Sequence, residues 1–161
     1  MSHARIVYSL GFLTCVGLIA YALYLQHVEF LDPCPLCIFQ RIVFILIAVV
    51  CLVAVIHNPS GWGTRVYPTI GAVLSIAGGA LAARHVRLQY FPDATECGAG
   101  LEYMLEQFPI NEVFSLVLQG SGECGDIVWS FLGLSIPAWT LVIFVVFLVI
   151  SIWCSLRPPQ P

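Results

Sequence analysis

The chain has 161 residues, of which 60% are apolar and 9% are charged, and its mean hydropathy is +0.95. Soluble globular domains carry about 25% charged residues, so this composition excludes a soluble domain and predicts one integral membrane domain, residues 1–161. The net charge of −3 by itself says nothing about nucleic acid, but the sequence has no lysine and no basic patch, so we expect no nucleic-acid partner.

Four long segments without Asp, Glu, Lys or Arg locate the membrane spans. A membrane helix needs about 20 apolar residues, and each segment must be helical because lipid offers no partner to an unpaired backbone group. The predicted spans are residues 7–26, 36–56, 66–85 and 136–155. A first loop, 27–35, and a long third loop, 86–135, then lie on the side opposite the termini. The expected fold is an all-α, antiparallel bundle of four membrane helices.

The orientation rests on the first span and on the cysteines. Arginines divide equally between the two sides of the membrane, so the positive-inside rule does not decide by count. Arg5 precedes the first span, which usually dominates, and thiol chemistry in the loops favours an oxidising face. We therefore expect cytoplasmic termini.

Seven cysteines fall into two groups. Cys15, Cys51 and Cys154 lie within the spans, where a small apolar core residue is the simplest interpretation. The other four lie in the first and third loops, on one side of the membrane: Cys34, Cys37, Cys97 and Cys124. Four such cysteines indicate two disulfides in an oxidising compartment. A zinc site is the competing interpretation, although a zinc ribbon usually offers two close pairs and only one pair is close here.

The close pair lies in the stretch "DPCPLCIFQR". If the second helix begins near Leu36, Cys37 lies in its first turn, where unsatisfied N–H groups and the helix dipole favour a thiolate. Pro35 suits this position because it has no N–H to lose. Cys-X-X-Cys pairs at helix N-termini exchange readily, so the sequence predicts a redox-active pair.

A few polar residues are expected to share the level of this pair. Arg41 follows Cys37 by four residues and faces the same way, while His85 and Gln89 show the same spacing at the end of the third span. A reduced dithiol must pass on its electrons, and the sequence has no nucleotide-binding glycine loop, haem-attachment motif or iron–sulfur spacing. A lipid-soluble quinone, which takes two electrons, is the simplest acceptor.

With these residues in place, the chain resembles the DsbB family, bacterial inner-membrane proteins that generate disulfides. The resemblance runs over nearly the whole chain, through "PCPLCIFQR", "HVRLQYFP" and "SGECGDIVWSFLGLSIPAW". It implies a four-helix bundle with two periplasmic loops. It also implies that a soluble thioredoxin-like partner, DsbA, is reoxidised and that a membrane quinone is reduced, with ubiquinone expected and menaquinone the other candidate.

The resemblance also assigns roles to residues. It implies redox-active disulfides Cys34–Cys37 and Cys97–Cys124, with Cys97 forming the mixed disulfide with DsbA. Electrons then pass through an interloop disulfide, Cys34 with Cys124, and Cys37 is the thiolate beside the quinone. Arg41 matches the quinone-site arginine, and His85 and Gln89 match positions near the ring.

Apolar residues at helical spacing in the long loop, in the segment 101–118, predict a short amphipathic helix on the membrane surface. Contact with DsbA is the alternative use of this segment.

Two classes of function remain open from the sequence. One is a quinone-linked thiol oxidoreductase, which requires the Cys34–Cys37 pair to cycle. The other is a membrane scaffold whose loop is held by structural disulfides or zinc, which requires the pair to stay fixed.

Overall fold

The computed structural model describes residues 3–31, 33–59, 63–90 and 130–156. Four helices account for most of them: α1 His3–His27, α2 Pro35–His57, α3 Gly63–Tyr90 and α4 Ile136–Leu156. Each is long and apolar enough to cross a membrane. The predicted fold class, an all-α membrane protein with four helices, is therefore confirmed.

Neighbouring helices run antiparallel. At one end of the bundle, Arg5 near the start of α1 donates from Nε to the carbonyl oxygen of Val55 near the end of α2, at 3.2 Å. At the same end the rings of Tyr8 and Tyr67 meet edge to face, with centroids 6.4 Å apart, which places the start of α3 beside the start of α1. The backbones of the helix pairs α1–α2, α2–α3 and α3–α4 pack most closely. Residues of α1 and α4 line shared cavities between these two helices.

The core lies where α2, α3 and α4 meet. The rings of Phe44 and Phe144 stack with centroids 4.3 Å apart, and Phe144 is fully buried. Gly78 allows this packing because a Cβ at its position would overlap the Phe144 ring. Small residues at helix contacts let backbones approach closely, which is how membrane helices gain packing energy without a hydrophobic driving force. Cys15 and Cys51 belong to the same buried cluster.

A short hairpin precedes α4, in a region that the sequence analysis treated as loop. Strands β1 Ser130–Phe131 and β2 Leu134–Ser135 pair antiparallel. The two turn residues, Leu132 and Gly133, have φ angles of 53° and 79°, as a tight turn with two left-handed residues requires. Trp139 in the first turn of α4 donates from Nε1 to the carbonyl oxygen of Phe131 at 3.0 Å, which ties the hairpin to the helix.

Cys97, Cys124 and the predicted amphipathic helix in 101–118 lie outside the described residues.

Candidate functional site

The cysteine pair forms the N-terminus of α2. Cys34 is the N-cap, with extended backbone angles, and Pro35 occupies the first helical position. The N–H of Cys37 donates to Cys34 Sγ at 3.4 Å, and the two Sγ atoms lie 3.0 Å apart. A bonded S–S distance is about 2.05 Å, so the structure presents the pair as two thiols in contact. The positive end of the helix dipole favours negative charge on these sulfurs.

A cavity of about 590 Å³ opens beside the pair, between α1 and α4. Its walls are mostly apolar and include Leu18, Leu25, Phe44 and Ile143. The polar side chains on its surface are Tyr21, Cys34, Cys37, Gln40, Arg41, His85, Gln89, Trp139 and Thr140. The structure thus brings the cysteine pair and all three residues that the sequence analysis expected around a quinone to one cavity.

Arg41 is anchored on the neighbouring helix α1. Its guanidinium donates from NH1 to Gln26 Oε1 at 2.6 Å and from NH2 to the carbonyl oxygen of Ala22 at 3.2 Å. Both acceptors are neutral, so these bonds orient the guanidinium without cancelling its charge. A cation one helical turn below Cys37 therefore faces the cavity.

His85 contacts the cysteine pair directly. Its Nε2 lies 3.6 Å from Cys34 Sγ, and its ring is almost fully buried, with 2% of its surface exposed. On the other side of the ring, Nδ1 lies 3.3 Å from the side-chain amide nitrogen of Gln40. The amide oxygen of Gln40 lies 2.7 Å from Thr140 Oγ1 on α4. A chain of polar groups therefore runs from α4 through α2 and α3 to the Cys34 sulfur.

Gln89 links α3 to the hairpin. Ser135, which is buried, donates from Oγ to Gln89 Oε1 at 2.6 Å. This bond fixes the hairpin at the edge of the cavity, which Phe131 of β1 also lines.

Sequence reasoning missed Gln40 and Thr140. A signal for Gln40 was available, since it is an amide in an otherwise apolar helix three residues after Cys37, and polar groups in membrane spans usually face the bundle interior and carry function. No such signal existed for its partner, because periodicity does not tell which residue of a distant helix lies opposite.

Two thiols held in contact at a helix N-terminus can form and break one disulfide, and the adjoining cavity offers room for a mostly apolar molecule. Together with the four membrane helices, this defines a membrane protein of the thiol–disulfide oxidoreductase class.

Similarity to known proteins agrees with that class. The family model described as disulfide bond formation protein DsbB matches residues 4–154. A disulfide bond formation protein B of Hahella chejuensis is 49% identical over 158 residues, which cover 97% of this chain and 96% of that protein. One from Nitrosococcus oceani is also 49% identical, over 92% of this chain and 89% of that protein.

The chain therefore belongs to the DsbB family of disulfide bond formation proteins, and its role is that of a disulfide-forming oxidoreductase in a multi-pass membrane setting.

Proposed function

We propose that this protein reoxidises a DsbA-type thiol oxidase by disulfide exchange and passes the two electrons to a membrane quinone, so that disulfides are generated de novo. The observation that carries the proposal is the position of the Cys34–Cys37 pair, with the two sulfurs 3.0 Å apart at the opening of a cavity of about 590 Å³. A structural staple needs no such cavity beside it.

The cavity suits a quinone. Its volume falls within the range of about 300 to 1,000 Å³ that small-molecule sites occupy, and its apolar walls with a few converging polar groups are typical of such sites. Arg41, His85 and Gln89 lie on its surface and are the proposed quinone-binding residues. Ubiquinone is the expected quinone and menaquinone the alternative. When bound, the quinone would accept two electrons and two protons and become a quinol.

The proposed relay is a series of thiol–disulfide exchanges. A thiol of the reduced partner attacks Cys97, which opens the disulfide Cys97–Cys124, and Cys124 then attacks Cys34, which leaves Cys37 as a thiol or thiolate beside the cavity. The second thiol of the partner releases Cys97 and the oxidised partner leaves, and Cys97 attacks Cys124 to re-form Cys97–Cys124 and free the Cys34 thiol. Each exchange conserves the number of disulfides, and net oxidation occurs only when Cys34–Cys37 closes again. Arg41 stabilises the Cys37 thiolate and the negative charge that develops on the acceptor oxygen.

The proposed location is the bacterial inner membrane, with cytoplasmic termini and both cysteine loops in the periplasm. Cys34, His85 and Phe131 line the same cavity, and the proposed orientation is the one that lets a periplasmic partner reach that end of the bundle.

The test is a reaction of purified protein with a reduced DsbA-type partner and a soluble ubiquinone analogue, followed by quinone absorbance. We expect quinone loss that requires both the partner and Cys37, so Cys37→Ser abolishes it. Cys154→Ala is the matched control, because Cys154 lies at the far end of α4, and this variant should retain the rate. No quinone loss, together with zinc in the purified protein, would favour the scaffold alternative.

A further inference from the structure

The hydrogen bonds behind His85 determine which ring nitrogen carries the proton. Thr140 Oγ1 lies 2.7 Å from Gln40 Oε1 and 2.9 Å from the carbonyl oxygen of Pro137. A hydroxyl has one hydrogen, so it can donate to only one of these two oxygens. The other contact then brings two oxygens together at hydrogen-bond distance with no hydrogen between them.

Turning the Gln40 amide by half a turn removes this conflict. The oxygen and nitrogen of a side-chain amide have nearly the same shape, and their assignment follows from the hydrogen-bond network. In the turned orientation Gln40 donates an N–H to Thr140 Oγ1, and Thr140 donates its hydrogen to Pro137. The amide oxygen of Gln40 then accepts from Nδ1–H of His85, and every contact in the chain has one hydrogen.

This arrangement leaves Nε2 of His85 with a lone pair. Nε2 is the atom that lies 3.6 Å from Cys34 Sγ. Cys34 Sγ also lies 3.0 Å from Cys37 Sγ. If the Cys34 proton moved to Cys37, however, the pair would still hold that proton, now on the other sulfur. Transfer to Nε2 takes the proton out of the pair.

We propose that His85 is the proton acceptor of Cys34, and that Gln40 and Thr140 are positioning residues that hold His85 in the tautomer this requires. Gln40 is 3% exposed and His85 is 2% exposed, so water cannot readily replace the bonds that orient the ring. Buried polar networks of this kind fix a unique arrangement when every member is satisfied. The inference rests on the proposed function for its place in the reaction, although its geometry does not depend on it.

The protons and electrons balance with the acceptor already proposed. When Cys34 and Cys37 form their disulfide, two thiols lose two electrons and two protons. The electrons pass to the quinone in the cavity. The Cys34 proton moves to Nε2 of His85 as the Cys34 sulfur bonds to the Cys37 sulfur. Cys37 is already a thiolate, so its proton was released before this step and the quinol takes up an equivalent proton from water. Both protons end on the two quinol oxygens, and His85 returns to its neutral state.

The charged and titratable groups near the His85 ring determine how a new charge at position 40 would act on it. Among the described residues, the titratable and charged groups that share the cavity with it are Tyr21 from α1 and Cys34, Cys37 and Arg41 from α2. Arg84 and Arg87 are its neighbours along α3 and do not share its face of the helix. Helix α4 contributes the neutral hydroxyl of Thr140. No carboxylate is among these groups, so a carboxylate placed at position 40 would be a large and specific perturbation.

The experiment measures Cys34 reactivity in the full-length protein in a Cys37→Ala background. A small thiol reagent, methyl methanethiosulfonate, is applied from pH 5 to pH 9, and modification of the Cys34 peptide is followed by mass spectrometry. We expect Gln40→Leu to slow modification at pH 7 about tenfold and to move the profile to higher pH. Gln40→Glu should move it to lower pH by about one unit, because a carboxylate beside Nδ1–H favours the imidazolium that accompanies a thiolate.

Opposite shifts from the two Gln40 variants would not arise from a loss of packing, which would move both profiles the same way. In a His85→Phe background, Gln40→Glu should no longer move the profile to lower pH, because a carboxylate without the imidazolium can only oppose the Cys34 thiolate. Thr140→Val should slow modification about threefold, and Thr140→Ser should restore the rate because it keeps the hydroxyl. Thr69→Val, at the other end of the bundle, is the control.

The proposal is overturned if the two Gln40 variants leave the profile unmoved or shift it in the same direction, or if Gln40→Glu acts equally without His85. The assay contains neither quinone nor partner protein. Its result therefore stands apart from the test of the proposed function, and the two can fail separately.

Discussion

The guanidinium of Arg41 donates to the side-chain oxygen of Gln26 at 2.6 Å, across the contact between α2 and α1. Through this bond and a second one to the carbonyl oxygen of Ala22, α1 sets the direction of a charge carried by α2. Helix α1 therefore orients the Arg41 guanidinium, although it contributes neither Cys34 nor Cys37.

Replacement of Arg41 tests whether this cation acts on the reaction. We expect Arg41→Leu to lower kcat/KM for quinone about 100-fold, since removal of one donor to a developing oxyanion typically costs that much. Arg41→Lys should lose about tenfold, because it keeps the charge but not the planar fork that bonds to both acceptors on α1. The measurement is steady-state quinone reduction.

Arg65→Leu provides the control, since Arg65 is an exposed arginine near the start of α3, away from the cavity. Unchanged quinone affinity and turnover in Arg41→Leu would remove the role proposed for this residue.

Cys37 should be modified in the reduced protein before Cys34. Cys34 is 9% exposed, whereas Cys37 is partly exposed on the cavity surface. A brief treatment with N-ethylmaleimide, followed by peptide mass spectrometry, measures the order. The quinol form of a soluble quinone analogue, which cannot oxidise the pair, should slow the labelling of Cys37 at least fivefold by occupying the cavity, and should leave Cys154 unaffected. Equal protection of Cys37 and Cys154 would indicate a general effect of the analogue on the membrane or detergent.

Gly78 should be intolerant of any side chain. A Cβ there overlaps the buried Phe144 ring, and overpacking of a core costs about 1 to 3 kcal/mol. We expect Gly78→Ala to lower the Tm in detergent by several degrees. Gly17→Ala is a matched control within a membrane helix, since a Cβ at Gly17 meets nothing within 4 Å. A Tm for Gly78→Ala at or above that of Gly17→Ala would contradict the packing described for α3 and α4.

The bond between Ser135 and Gln89 should appear as an energetic coupling. Ser135→Ala and Gln89→Ala each remove the same bond, so the double variant should be little less stable than either single variant. The coupling free energy expected for one buried bond is about 0.5 to 1.5 kcal/mol. A double-mutant cycle from unfolding measurements determines it. Strictly additive effects would show that the hairpin does not depend on this bond.

The membrane helices were predictable because lipid imposes a minimum apolar length. The residues at which these helices begin and end were harder to predict. Arg65 and Arg87 were taken to mark loops, yet both lie inside α3, Gly63–Tyr90. Gaps between charges report the apolar middle of a membrane helix, and a helix can continue into the polar interface, where an arginine is readily solvated. The same gaps placed the first turn of α2 within one residue of its position.

The site was predictable in its residue types and less so in its contacts. Arg41, His85 and Gln89 were expected at the level of Cys37, since helix ends on one side of a membrane share a depth, and all four line one cavity. The contact of Gln40 with Thr140 joins residues separated by 100 positions. It depends on how α2 and α4 are rotated about their axes, which spacing within one helix does not determine.

The place of the cavity between α1 and α4 has a consequence for how binding to it is quantified. Residues of both helices line the cavity, and one of them, Tyr21, is half exposed on the flank of the bundle. We therefore expect an apolar compound to enter the cavity from the bilayer in which it dissolves. The concentration that governs occupancy is then its mole fraction in the lipid or detergent, so a KM stated per volume of buffer will change with the amount of detergent in the assay.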